Sequence, residues 1–411
     1  MNFEFFAARR IIASKDRKSS VSAPIIKIAI AAIALGVTIM LISIAVTLGL
    51  QKKIREKVSA FNGDIIISKF DSNNTDESQT PISIHQDFYP TFTSVEGVTH
   101  IQATAAKGGV IRTEKDFEGV VVKGVGKEYS WGAFEEFLQE GRLPNFKETL
   151  NDEILVSSYL VNRLELQLGD RINVFFLQEE SERKIRSLGL TIVGIYDSGF
   201  QEFDEQFVMA DIRHLQRLNK WEADQVGAFE VFVEDFDEIQ SIGNQVYEET
   251  PSDLDSITIR DKFYSMFEWI DLFDFNTYLI IGIMILISGI NMITALLVLI
   301  LERTQMIGIL KALGSNDWSI RKIFLYNAAY IICIGLFFGN IIGIGLLLLQ
   351  KFGKFIKLDP QTYYVTEAPV FIDFGYILLL NVGTLLLCLV MLLIPSYLVS
   401  KIAPVKAIRF E

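Results

Sequence analysis

Gly124-Val125-Gly126-Lys127-Glu128 is the closest this 411-residue sequence comes to a phosphate-binding loop. A Walker loop needs an upstream glycine to let the backbone wrap the phosphates, and a Ser or Thr after the lysine to hold magnesium. Both are missing, so ATP binding through such a loop is not expected. His85, His100 and His214 are scattered, and no H-E-x-x-H or G-x-S-x-G occurs. Cys333 and Cys388 are the only cysteines. The sequence therefore predicts no metal site, no catalytic residues and no cofactor of its own. The chemistry left is that of a contact surface. Over residues 304–313, Met306, Ile309, Leu310 and Leu313 fall at i, i+3, i+4 and i+7, one face of a short helix. Gly314 suits the left-handed position after a helix, and Ser315, Asn316 or Asp317 can cap the next one. About ten residues cannot cross a hydrocarbon core that needs about twenty. The helix is expected to lie at the membrane surface, offering an apolar face and Lys311 to lipid or to another protein. The residues alone leave open a plain interfacial turn.

The elements around it follow from hydropathy. Half of the residues are hydrophobic, 21% are charged, and mean hydropathy is +0.33. Four apolar stretches are long enough to span a bilayer, at 25–50, 278–301, 323–349 and 376–398. The first is too long for a cleaved signal and lacks a small-residue cleavage site, so it reads as an anchor. Arg9, Arg10, Lys15, Arg17 and Lys18 precede it. Arg303, Lys311, Arg321 and Lys322 lie between the second and third stretches, and Lys401, Lys406 and Arg409 end the chain. The positive-inside rule puts all three segments in the cytoplasm. Residues 51–276 then lie outside, with 22 Lys and Arg against 42 Asp and Glu. So acidic a domain argues against nucleic acid as a partner. It contains no cysteine, so a packed core must hold it together.

The fold class expected is α+β, four transmembrane helices with one large exported domain between the first and second. The boundaries are 1–24 for an amphipathic N-terminus, 25–50 for the first span, 51–276 for the domain and 277–301 for the second span. Then follow 302–320 for the surface helix, 321–349 for the third span, 350–375 for an external loop, 376–398 for the fourth span and 399–411 for a tail. Strands are expected at 65–69, 119–124, 153–157, 171–176, 190–196, 206–210 and 229–233, and helices at 158–168 and 237–249. Residues 51–60 continue the first span helically. Residues 71–80 read as a polar loop containing the sequon pattern Asn73-Asn74-Thr75. A helical pattern over 256–274, with Phe263, Met266, Phe267, Ile270 and Phe273, runs into the second span, either as core packing or as a rigid stalk. Small residues repeat at four-residue spacing at Ala32 and Gly36, Ala45 and Gly49, and Gly335, Gly339 and Gly343. Such spacing lets helices approach closely, within one subunit for the glycines of the third span. Pro395 should end or kink the fourth span.

The run Glu302-Arg303 followed by Ile307-Gly308-Ile309-Leu310-Lys311-Ala312-Leu313-Gly314-Ser315 resembles the coupling helix of FtsX/MacB-type ABC transporter permeases. Met306 stands where that family usually carries an acidic residue. Residues 358–365 (LDPQTYYV), Ala368-Pro369-Val370, 189–204 (GLTIVGIYDSGFQEFD), Leu168-Gly169-Asp170, the N-terminal FEFFAARRI and the ending 403–411 (APVKAIRFE) are similar to the lipoprotein-releasing (Lol-type) branch. The likeness covers essentially the whole chain.

That resemblance implies a MacB-like periplasmic core and an inner-membrane location with both termini cytoplasmic. It also implies a non-enzymatic permease subunit, with ATP and magnesium held by a separate ATPase dimer. Glu302, Arg303, Met306, Ile307, Leu310, Lys311, Leu313 and Gly314 would form the ATPase contact. The other implied partners are a second permease copy or paralogue, an acylated lipoprotein as cargo and a periplasmic carrier. Ile42, Val46 and Leu50 of the first span, with Phe263, Phe267 and Ile270 of the stalk, are proposed to line the lipid-accepting cavity. The stretch 177–189, which recruits the carrier in one family branch, is short and charged here. Two other functions fit the same superfamily, an efflux permease and a regulator of periplasmic hydrolases.

Overall fold

The computed structural model describes residues 3–13, 22–71, 78–146, 150–177 and 185–401. The sequon, most of the stretch 177–189 and the ending 403–411 lie outside them. In chain order, α1 (Phe3–Ala13) and α2 (Ser22–Asn62) lead into β1 (Ile65–Lys69), β2 (Ile82–Ser83), β3 (Val98–Arg112) and β4 (Phe117–Val125). Next come α3 (Gly132–Phe137), β5 (Leu138–Gly141), β6 (Glu153–Ser157), α4 (Ser158–Arg163), β7 (Arg171–Leu177) and β8 (Ile185–Tyr196). They are followed by α5 (Gln201–Gln206), β9 (Phe207–Asp211), α6 (Ile212–Asn219), β10 (Gln225–Val226), β11 (Ala228–Val233), α7 (Ile239–Glu249) and β12 (Leu254–Thr258). The chain closes with α8 (Ile259–Lys262), α9 (Tyr264–Glu302), α10 (Thr304–Ala312), α11 (Asp317–Gly353), α12 (Pro360–Tyr363), α13 (Phe374–Ser396) and α14 (Leu398–Lys401). Two compact units result. One comprises Met1–Leu50, Ile270–Ile356 and Ala368–Glu411; the other comprises Gln51–Trp269 and Lys357–Glu367.

In the first unit, α2, α9, α11 and α13 are long and apolar enough to cross a membrane. Lipid is as apolar as leucine, so such helices associate through close packing and hydrogen bonds rather than through hydrophobicity. The α11 glycines supply the packing. A Cβ on Gly335 would lie 2.7 Å from the Ile33 Cβ, one on Gly339 2.8 Å from the Val37 Cβ, and one on Gly343 3.0 Å from Leu41. The seam therefore joins α11 to α2 within this chain. Thr38 stitches it, its hydroxyl donating to the Ala34 carbonyl at 2.8 Å and the Gly339 carbonyl at 3.1 Å. Asn340 and Asn381 exchange amide hydrogen bonds at 2.6 and 3.0 Å, joining α11 to α13. Thr47 and Thr277 share a 2.8 Å hydroxyl bond between α2 and α9. Pro395 sits one residue before the end of α13.

In the second unit, ten strands of the described residues form one mixed sheet in the order β12-β1-β11-β3-β4-β9-β6-β8-β5, with β7 paired to both β3 and β8. That double pairing closes β3-β4-β9-β6-β8-β7 into a ring. The pairs β4/β9 and β6/β8 are parallel and the other pairs antiparallel. Phe61, on the last turn of α2, is 1% exposed and touches Phe134, Tyr196, Phe203 and Phe207 at 4.8–5.9 Å between ring centroids. Gly63, at φ +68, ends the helix where a Cβ would meet Glu230 at 2.8 Å.

The expected strands all occur, with ends shifted by a few residues. Three strands were not expected. β3 contains Ala103-Thr104-Ala105-Ala106-Lys107-Gly108-Gly109, a run of low strand propensity, and is extended because β11, β4 and β7 all pair with it. β5 is a short edge strand on β8. The third, β12, corrects the helical reading of 256–274. Its residues Leu254–Thr258 pair with β1, Thr258 caps α8 by accepting from the Asp261 amide at 3.1 Å, and Phe263 breaks the helix at φ −107, ψ 40. The helix entering the second span therefore begins at Tyr264.

Candidate functional site

The surface helix α10 is Thr304–Ala312, shorter than the 302–320 segment drawn from sequence, and α11 already starts at Asp317. Gly314 takes φ +88, with the Ser315 amide donating to the Leu310 carbonyl at 3.0 Å. The Asn316 side chain caps α11 by accepting from the Trp318 amide at 3.3 Å. Both ends are thus fixed by the residues that the sequence marked for them.

The apolar stripe read as one face divides into two. Ile307 and Gly308 are buried, and Met306 and Leu310 pack against Ala8 of α1 and Ile323 of α11. Ile309 is 48% and Leu313 78% exposed, and together with Gln305 and Ala312 they form an open stripe at i, i+4, i+7 and i+8. Leu310 thus belongs to the helix's own seat. Lys311 is also committed: its side chain is 11% exposed and its Nζ lies 2.9 Å from Asp317. Glu302 is exposed and Arg303 half-buried. The seat is held from below by α1, whose Phe5 meets Tyr326 edge-on at 6.0 Å and whose Glu4 accepts from the Ser319 hydroxyl at 3.1 Å.

The proposed cavity residues do not form one open surface. Leu50 is 3%, Phe267 3% and Ile270 1% exposed. Phe267 stacks on Phe236 at 5.6 Å, and Phe263 meets Phe203 edge-on at 5.9 Å. These rings serve domain packing in this conformation, and only Ile42 and Val46, half-buried, keep surface to offer. Beside them, a cleft lined by Leu41, Ile44, Leu48, Leu347, Phe371 and Ile377 holds about 20 Å³, room for a water but not for an acyl chain. Among the described residues no group of three or more His, Cys, Asp or Glu could hold a metal.

The MacB-like periplasmic core domain family matches residues 28–247, more than half of the sequence, and the FtsX-like permease C-terminal family matches residues 278–404, which include α10. The chain belongs to the FtsX/MacB permease family. This permease is 25% identical to the lipoprotein-releasing system transmembrane protein LolC of Neisseria meningitidis serogroup B, with 100% of both chains covered. It is 21% identical to the corresponding LolE of Haemophilus influenzae, with 99% of both covered. The solved periplasmic region of MacB from Actinobacillus actinomycetemcomitans aligns with 50% of this chain and 92% of its own, at 13% identity and a TM-score of 0.33.

Sequence reasoning missed two groups in the permease. Asn340 and Asn381 could have been noticed as amides inside apolar spans, the residues that most often act as interhelical glue. Lys57 and Asp204 carry no sequence signal, because charges so common in an acidic domain reveal burial only in the fold.

Proposed function

We propose that the chain is the permease subunit of an ABC transporter that extracts acylated lipoproteins from the inner membrane and releases them to a periplasmic carrier. The observation that carries this reading is the end-to-end match to lipoprotein-releasing permeases, in which neither chain has a segment left over. The basic flanks place α1, α10 and both termini in the cytoplasm and the β-rich unit in the periplasm.

The two-faced geometry of α10 suits a coupling helix. One face is fixed to α1 and α11, so displacement of α10 must displace them. The other face, Gln305, Ile309, Ala312 and Leu313, is an apolar strip of the kind that docks into a groove of a partner, here a separate ATPase subunit that binds ATP and magnesium. A second permease copy or paralogue would complete the complex. Each acyl CH₂ leaving lipid costs about 0.8 kcal/mol, so an anchor leaves the bilayer only with ATP-driven work and an apolar receiving surface. Ile42 and Val46 of α2 are the residues proposed to begin that surface. Photo-crosslinkers at these two positions should capture an acylated lipoprotein, with capture falling on ATP addition. Capture of bulk phospholipid alone, independent of nucleotide, would refute the cargo path.

A further inference from the structure

Two stretches that the transport reading leaves unused, 189–204 and 358–370, meet in the β-rich unit. Lys357 and Glu367 pair as an isolated β-bridge, and the Leu358 amide donates to the Thr366 carbonyl at 3.0 Å, closing a hairpin. At its tip, Asp359 caps α12 and Tyr364 follows in the left-handed region at φ +58. A bulky residue holds that conformation only where its surroundings fix it. The Tyr364 ring stacks on Phe200 at 4.8 Å and 21°, and Phe200 stacks on Phe203 at 4.4 Å and 15°. Trp269 meets Tyr364 edge-on at 5.8 Å. The Lys57 ammonium, on the domain end of α2, donates to the Tyr364 carbonyl at 3.2 Å. Burial pushes this ammonium down to about 8, with Asp204, Asp197 and Glu367 acting in the opposite sense. Gly199, at φ +63, passes so close that a Cβ would lie 3.0 Å from the Lys57 Nζ and 3.3 Å from Thr366.

The base of the hairpin is pinned too. In the membrane unit, the Gln350 amide donates to the Ile356 and Ala368 carbonyls at 3.2 and 3.1 Å and accepts from the Ile356 amide at 2.9 Å. The Phe371 amide donates to the Ala45 carbonyl at 3.0 Å. Ile356 and Ala368 are the covalent neighbours of Lys357 and Glu367, so no slack chain separates the two anchorages.

We propose that the 357–367 hairpin is a rivet whose Tyr364, stacked on Phe200, flanked by Trp269 and capped by Lys57, transmits displacement of the α11–α13 connection to the periplasmic domain. The inference rests on the permease reading only for its transport readout. Removing the ring removes the stack. Hydrogen exchange of the full chain with its ATPase should therefore rise roughly tenfold over both 357–367 and 198–204 in Tyr364→Ala, and stay near wild type in Tyr364→Phe. Lys57→Met should raise exchange in 357–367 by a smaller factor. In reconstituted vesicles, Tyr364→Ala should hydrolyse ATP at the wild-type rate and release lipoprotein roughly tenfold more slowly, with Tyr364→Phe restoring release. Unchanged exchange over 198–204 in Tyr364→Ala, or full release by that variant, would overturn the rivet. If wild-type protein released no lipoprotein at all, the transport reading would fall, while the exchange pattern would still decide the rivet.

Discussion

The two units solve the same problem, a unique packing, with opposite means. The β-rich unit buries large side chains and even an ion pair: Lys123 and Glu230 are 2.6 Å apart, with side chains 4% and 6% exposed, and Gln102 and Thr104 satisfy the same carboxylate. The membrane unit buries almost no charge and specifies its contacts by removing side chains at Gly335, Gly339 and Gly343 and by pairing neutral amides. Water explains the difference. Where folding expels water, bulk stabilises and a charge can be kept if fully partnered. Where the solvent is lipid, bulk discriminates little, and contact area and amide bonds decide.

That contrast can be broken at defined residues. The largest effect is expected from Glu230→Leu, which strands the Lys123 ammonium in the core at a cost of about 3–5 kcal/mol. Lys123→Met combined with Glu230→Leu should recover most of that loss, as measured by thermal unfolding of the full chain. Gly339→Leu should follow, because its side chain must displace Val37 and the Ala34 carbonyl; overpacking of about 1–3 kcal/mol should appear as lost yield and a lower unfolding midpoint. Asn381→Leu removes one interhelical amide pair and should cost about 1 kcal/mol.

A pH effect sharpens the comparison further, since it belongs to the β-rich unit alone. Burial pushes the Asp204 carboxyl up to about 7, against hydrogen bonds from Ser198 that favour its charged form. A carboxyl raised in the folded state binds its proton more tightly there than when unfolded. Its contribution is therefore fully present below about pH 4 and is lost as pH rises through about 7. Asp204→Asn should flatten that part of the stability profile between pH 5 and 7. An identical slope in the variant would remove Asp204 as its source.

Legibility followed the same divide. The spans, the glycine seam and the capped turn at Gly314 could be read from sequence because each is a local pattern with one physical meaning. The division of the α10 stripe could not, because helical periodicity groups Met306, Ile309, Leu310 and Leu313 while only the position of α1 decides which of them is covered. The helical reading of 256–274 failed because pairing with β1 outweighed a pattern that runs unbroken into α9. The Tyr364 stack joins residues more than 150 positions apart and leaves no periodic trace.

The smallest expected change in stability, and the most direct test of the account, comes from comparing Leu313→Asp with Leu310→Asp in vesicles containing the chain, its ATPase and an acylated lipoprotein. Leu313 is exposed, so its variant should fold with an unfolding midpoint near wild type yet lose ATP-dependent release to a soluble carrier by about tenfold or more. Leu310→Asp should instead lower the unfolding midpoint, because it places a charge against Ala8 and Ile323. Wild-type release by Leu313→Asp, or no ATP-dependent release by the wild-type complex, would contradict a lipoprotein permease driven through the open face of α10.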